Sequence, residues 1–364
     1  MYVGQGEGLP AMGAMLGVVV AEVLSLAVLA VFYFFGKERT TLRQPPEGSK
    51  APPLKLIAGS LWKGALGVLA GCAIVPLAAC VDSLMVANCM RGLNYTAPQV
   101  QSAFALYTGI ASPMTYFPAL VCAGLALGLV PRIQGHLARR DFASMRDSAA
   151  SALKMTALLA LPAAVGLIVL AGPLTRMAFG SLLDEEQIAL ASTLLYVMAA
   201  GVFFLAVAQT SAGILASVGK PGVAAGNLVM ALVLKVIVQL ILMTNSGVNL
   251  VGAAFGSLAF YGVLAAFNMV QVVKRMRLSL DWGNALLKPL IACVCMGALV
   301  YFVYFGLLEK AVGVGAGVIL TVLIGFLVYL GFLVFTRVFN ERDFEQLPGG
   351  GVAHDILLRS GIYK

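Results

Sequence analysis

The run GVAAGNLVMALVLKVIVQLILM, residues 222–243, contains one charged side chain, Lys235, in an otherwise apolar helix-forming stretch. About 20 such residues in a helix cross the roughly 30 Å hydrocarbon core of a bilayer. The same test applied outward along the chain gives nine spans, at 12–35, 62–88, 104–130, 152–172, 188–217, 222–243, 250–273, 286–308 and 311–337. The loops between them alternate in charge. Lys37, Arg39, Arg43, Lys50 and Lys55 follow the first span, Arg91 alone the second, Arg132, Arg139, Arg140 and Arg146 the third, and Arg176 alone the fourth. Lys220 and then Lys274, Arg275 and Arg277 continue the basic side, while Lys310 is the lone base of the last opposing loop. The bias of basic residues toward cytoplasmic loops places the C-terminus inside and the N-terminus outside. The expected fold is an all-α polytopic membrane bundle of nine transmembrane helices.

Composition agrees with that class. Hydrophobic residues make up 60% of the chain and charged ones 11%, with a mean hydropathy of +0.95. Nine buried helices in a soluble protein would lack polar surface to cover them. The net charge of +8 is dispersed among loops and not interleaved with aromatics, which argues against nucleic acid and suits contact with anionic lipid headgroups. The six cysteines lie in or beside apolar spans without a CxxC pair, and the two histidines, His136 and His354, fall outside the spans. No disulfide framework, zinc site or cofactor motif is indicated. The first 11 residues carry no base, so no secretory signal is read there.

Residues 37–61, with Pro45, Pro46, Pro52 and Pro53, read as a linker between the first span and the other eight. The segment Arg132 to Lys154 reads as a short amphipathic helix joining spans three and four, and 339–364 as a polar tail. Pro76, Pro113, Pro118 and Pro162 lie inside spans, where each removes a backbone hydrogen bond and marks a break or hinge. GxxxG spacings at Gly13/Gly17, Gly67/Gly71, Gly124/Gly128, Gly222/Gly226, Gly252/Gly256 and Gly313/Gly317 point to closely packed helices. Kinked helices in a tight bundle suit a transporter.

Enzymatic signatures such as GxSxG and HExxH are absent. The run Gly213 to Lys220 is similar to a phosphate-binding loop but fails on spacing, and Pro221 stands where a hydroxyl residue would hold magnesium. The informative residues are polar ones inside spans. Lys235 sits mid-span, where an unpaired ammonium costs about 2.5–3.5 kcal/mol. Asn227 and Gln239 share much of its face. Either this face lines a hydrated cavity or Lys235 pairs with a carboxylate from another helix, for which Asp82 and Glu22 are the acids comparably placed. Gln209, Asn268 and Gln271 read as interhelical hydrogen-bonders.

Span three reads YTGIASPMTYFPALVCAGLALGLVPRIQGHLARRDFASMR from Tyr107, and span four continues LKMTALLALPAAVGLIVLAGPLTRMAFG from Leu153. With Gln209, the Gly219-Lys220-Pro221 turn, Lys235, VGAAFGSLAFYGVLAAFN from Val251, and Asp343, Leu347 and Pro348 in the tail, this order resembles the multidrug/oligosaccharidyl-lipid/polysaccharide exporter superfamily. Within it, the chain is similar to the polysaccharide-transporter branch of stage V sporulation protein B type and lipid II flippases. The resemblance implies fourteen helices: two six-helix lobes around a cavity, then an additional pair bordering an apolar groove for a polyprenyl tail. On that pattern 1–36 is the last helix of the first lobe, 37–61 the cytoplasmic inter-lobe linker, 62–273 the second lobe and 274–338 the additional pair. The chain is then expected to be an N-terminally truncated form. The implied activity is flipping of a polyprenyl-linked saccharide or peptidoglycan precursor across the cytoplasmic membrane by alternating access, with Lys235, Asp82, Gln239, Asn227 and Glu22 as cavity candidates. The alternatives are a cation-coupled multidrug exporter of the same superfamily and a non-transporting protein that needs a partner.

Overall fold

The computed structural model describes residues 8–35, 59, 73–245, 247–278, 281, 283–336 and 338. The chain divides into two units, Met1–Ile57 and Ala58–Lys364. In the first, α1 (Gly8–Phe35) is a 28-residue helix that coincides with the first expected span, and apolar side chains such as Val20, Val23 and Leu24 are exposed along it. The expected linker, 37–61, and tail, 339–364, lie outside the described residues, apart from Gly59.

The described residues of the second unit form helices joined by turns, in the order α2 (Ile74–Gly92), α3 (Ala97–Ala105), α4 (Ser112–Leu127), α5 (Val130–Ala138), α6 (Phe142–Val169), α7 (Ala171–Phe179), α8 (Glu185–Ser217), α9 (Pro221–Met243), α10 (Val251–Met276), α11 (Lys288–Val303) and α12 (Val314–Phe335). Eight stretches of it are long and apolar enough to cross a membrane. Two sequence expectations change. Span three is longer than read, because Ala97–Ala138 forms one 42-residue run. A wide π turn at Leu106–Ala111 precedes Pro113, whose ring nitrogen has no hydrogen to give. Within this wide turn the Tyr107 carbonyl accepts from both the backbone N–H and the hydroxyl of Ser112, the latter at 2.8 Å. The basic segment 132–154 is not a separate connecting helix: α5 ends span three, Arg139–Asp141 turn, and α6 begins at once, with the Asp141 carboxylate accepting from the Ser144 N–H at 3.1 Å. Those backbone and side-chain bonds to Ser144 hold the Asp141 carboxyl below the usual carboxylate range.

Of the four prolines, Pro118 and Pro162 stand inside α4 and α6, which continue past them. Pro113 is the second residue of α4, and Pro76 occupies the first turn of α2 as described, where a missing N–H is tolerated.

Helix α8 runs through the middle of this unit and packs on α4, α6, α9 and α10. Small residues set the closest approaches. A Cβ on Gly297 would lie 2.7 Å from Val165 of α6, and one on Gly325 would lie 2.6 Å from Val300, so α11 touches both α6 and α12 at glycines. The C-terminal end of α12 is tied to the bundle by two ammonium groups. Lys154 donates to the Val338 carbonyl at 2.7 Å and Lys288 to the Thr336 carbonyl at 3.1 Å, the cation placement that a helix C-terminus favours. Arg132, Arg139, Arg140, Arg146, Lys220, Lys274, Arg275 and Arg277 gather at this end of the bundle, and Arg91 and Arg176 at the other.

Candidate functional site

The buried face of α2 is Ile74, Ala78, Asp82, Val86 and Met90, a regular i, i+4 stripe with one carboxylate at its centre. The matching face of α9 includes Ala231, Lys235, Gln239 and Met243. Lys235 and Gln239 are four residues apart and project from the same side of the helix. Helix α10 comes close enough to complete the site because it presents glycine. A Cβ on Gly256 would sit 2.3 Å from Cγ of Gln239, and one on Gly252 would sit 2.9 Å from Cβ of Leu242.

These elements assemble a closed polar cluster. The Lys235 ammonium lies 2.8 Å from Oδ1 and 3.0 Å from Oδ2 of Asp82, and donates to Oγ of Ser257 at 2.6 Å. Gln239 Nε2 donates to Asp82 Oδ1 at 2.6 Å. The Tyr107 hydroxyl, from the wide turn, donates to Asp82 Oδ2 at 3.1 Å and lies 2.7 Å from Ser257 Oγ. One donor order satisfies the ammonium and both hydroxyls: lysine to serine, serine to tyrosine, tyrosine to aspartate. All three ammonium hydrogens are then used, and the Phe260 ring, 5.7 Å from the nitrogen, closes one side. Lys235 and Asp82 are 0% and 1% exposed, so the pair holds no open face toward bulk solvent. Gln239 Oε1 has no partner among the described residues.

Asp82, Lys235 and Gln239 are therefore brought together. Asn227 is not: it lies eight residues, about 12 Å along the helix, from Lys235, and donates to Asn268 at 2.9 Å. Asn268 in turn donates to the Ala208 carbonyl at 3.1 Å, an interhelical clamp as read from the sequence. Glu22 belongs to the other unit, where its side chain is exposed. Gln271 accepts from Arg275 of its own helix, and Gln209 is buried with Oε1 unpartnered among the described residues. Tyr107 and Ser257 are not among the site candidates that the sequence offers. Hydroxyls inside apolar helices are common and individually cheap, and only the unfilled valences of Asp82 and Lys235 would have called for them.

The cluster contains no activated nucleophile and no open face. What it does is tie four segments, α2, the wide turn, α9 and α10, through two opposite charges. Tyr107→Phe, which removes the donor to Asp82 and the acceptor of Ser257, is expected to lower stability by about 1–3 kcal/mol. Thermal unfolding of the detergent-solubilised protein checks this.

The family model described as lipid II flippase MurJ matches residues 97–323. The uncharacterized membrane protein YabM of Bacillus subtilis (strain 168) is 24% identical over 247 residues, covering 65% of this chain and 44% of that protein. Among solved structures, the lipid II flippase MurJ in an inward closed conformation matches with a TM-score of 0.56 at 18% identity, over 73% of this chain and 52% of the flippase. A MOP superfamily transporter from Pyrococcus furiosus matches with a TM-score of 0.49 at 17% identity, over 79% and 66% of the two chains. The chain thus spans about half the length of the first two of these relatives. Its helical membrane bundle has the fold of the solved flippase, and since the family match runs through well over half of its residues, the chain belongs to the lipid II flippase MurJ family.

Proposed function

We propose that the chain works as the second lobe and additional helix pair of a flippase. Its cargo is a polyprenyl-linked saccharide or peptidoglycan precursor, moved across the cytoplasmic membrane by alternating access. The match to the lipid II flippase family over residues 97–323 carries this reading. In this reading 62–273 is the moving lobe, 274–338 the additional pair, and the basic end of the bundle faces the cytoplasm.

An apolar groove of about 200 Å³ supports a lipid-linked cargo. It opens where Phe203, Phe204 and Val207 of α8 and Ala266 of α10 meet Ala285 and Leu286 before α11, with Lys154 at its edge. A prenyl chain fits walls of this kind, because they are apolar apart from Lys154 and discriminate little except by apolar contact. The Asp82–Lys235 cluster gives the lobe a stiff interior: rocking of one lobe as a body requires that its helices do not slide past one another.

The test uses the chain in sealed vesicles with a fluorescent polyprenyl diphosphate saccharide. Protein-dependent movement of the headgroup to the far leaflet, read by protection from an impermeant quencher, is the expected result. Vesicles that leave the headgroup in place, and above all vesicles that instead export cationic dyes, overturn the reading.

A further inference from the structure

Three helices finish at the basic end of the bundle with the same backbone closure. After α5 the Asp141 N–H returns to the His136 carbonyl at 3.0 Å, after α8 that of Lys220 to Leu215 at 2.9 Å, and after α10 that of Leu278 to Val273 at 3.1 Å. The closure sets the residue before each donor in left-handed backbone, where a Cβ is crowded and glycine is the usual choice. Helix α8 follows this rule with Gly219, at φ 73°. The other two ends break it: Arg140 has φ 58° and Arg277 φ 51°. Among the described residues at the opposite end, the left-handed positions hold Asn94 and Asn249, a residue type that tolerates the conformation.

Two strained arginines at one end call for a cause outside the fold. Both are exposed, and among the described residues neither has a salt-bridge or side-chain hydrogen-bond partner. No internal contact therefore offsets the strain. Orientation in the membrane does not require them either. A basic loop orients a span wherever its charges stand, and Arg139, Arg146, Lys274 and Arg275 would keep that bias with glycine at 140 and 277.

Depth identifies what these side chains meet. Helix α10 has 26 residues, about 39 Å of helix, and a bilayer with its headgroups is about 40–45 Å thick, so Arg277 reaches headgroup level. Met276 and Leu278 pack in one cluster with Ile133 of α5 and Met145 of α6, which holds the α5–α6 turn at the same level. Arg132, Arg139, Arg140 and Arg146 stand there against Asp141 and Asp147, and the Asp141 carboxylate already accepts from the Ser144 N–H. Phe142, beside Arg140, is 51% exposed, an apolar ring next to cations as on a lipid-binding surface. Guanidinium groups meet phosphate oxygens through paired hydrogen bonds.

We propose that this end of the bundle docks anionic phospholipid headgroups, with Arg140 and Arg277 as its phosphate-contacting groups. The fold gives up stability at two helix ends in exchange for lipid contact. This holds whatever cargo the lobe moves, so it stands apart from the flippase reading.

The full chain in neutral detergent micelles, supplied with phosphatidylcholine or phosphatidylglycerol, tests it by the melting temperature. The parent should melt higher with phosphatidylglycerol, and added salt should shrink the difference. Arg140→Gly combined with Arg277→Gly carries two opposite effects. With phosphatidylcholine the pair should melt about 2–4 °C above the parent, because two crowded residues are relieved. Its extra response to phosphatidylglycerol should fall by at least about half. Arg139→Gln with Arg146→Gln removes the same charge from right-handed backbone, and should keep most of that response without the rise. Equal gains from the two lipids would overturn the proposal, as would a glycine pair that responds like the parent or melts no higher in phosphatidylcholine. A glutamine pair that loses as much as the glycine pair would also overturn it. Inorganic phosphate matching phosphatidylglycerol would do the same, by showing a site for free anions in place of a docking surface.

Discussion

Replacing Asp82 with alanine is expected to lower the stability of the Ala58–Lys364 unit by about 3–5 kcal/mol, the usual penalty for stranding one member of a buried ion pair. The substitution leaves the Lys235 ammonium with Ser257 and a ring face as its remaining partners, and takes the acceptor away from both Gln239 and Tyr107. Lys235→Ala should be milder, because the carboxylate keeps two donors. Removing both charges together changes the outcome. Asp82→Asn with Lys235→Met keeps an acceptor oxygen for Gln239, places an amide N–H opposite the Tyr107 oxygen, which can accept it, and fills the lysine's volume with an unbranched apolar chain. Stability of that pair is expected to return to within about 1 kcal/mol of the parent, since an uncharged replacement avoids the desolvation that the ions suffer. Melting followed by circular dichroism suits this comparison, because the unit is built of helices. An unchanged melting temperature for Asp82→Ala would refute the energetic account. The double variant then separates structure from transport: if it is stable and still moves a lipid-linked headgroup, the charges serve to hold the lobe. A stable variant that moves nothing gives them a part in the cycle.

What the sequence made legible, and what it hid, follows from energy. Eight of the nine expected spans, those of the second unit, were readable because each span must satisfy its own length. Asp82, Lys235 and Gln239 were readable because charge and amide in an apolar run are too costly to be incidental. Asn227 misled: angular position on a helix can be read from spacing, but a 12 Å offset along the axis selects a different neighbour, here Asn268. Glycine spacing misled in the same way. Of the GxxxG pairs in the second unit's described residues, Gly252/Gly256 makes the close helix approach, while an added Cβ at Gly124, Gly222, Gly226 or Gly313 meets nothing within 4 Å. Gly297 and Gly325, outside those pairs, do make tight contacts. Spacing states that a smooth face exists; the partner that uses it is a property of the whole bundle.

That distinction yields a sharper expectation at Gly256. A methyl group there would lie 2.3 Å from Cγ and 3.2 Å from Cδ of Gln239. Gln239 has little freedom to give way, because its backbone is mid-helix and its Nε2 is anchored on Asp82. Gly256→Ala therefore forces either separation of α9 from α10 or loss of the Gln239–Asp82 bond. Overpacking costs about 1–3 kcal/mol, and a hydrogen bond to a charged group about 1.5–3 kcal/mol. A combined loss of about 3 kcal/mol is expected in the melting experiment. Gly213→Ala is the control, although the overlap is nominally worse: the new Cβ would be 2.1 Å from Cδ2 of Leu127 but 3.6 Å from its Cγ. A leucine methyl can rotate aside, and alanine gains about 1 kcal/mol in helix propensity over glycine, so that variant should melt close to the parent. Combining Gly256→Ala with Gln239→Ala removes the collision, and the double variant should be more stable than the sum of the single effects by at least about 1 kcal/mol. Additivity would mean that the methyl group meets something other than Gln239, and the close approach of α9 and α10 would lose its role in building the site.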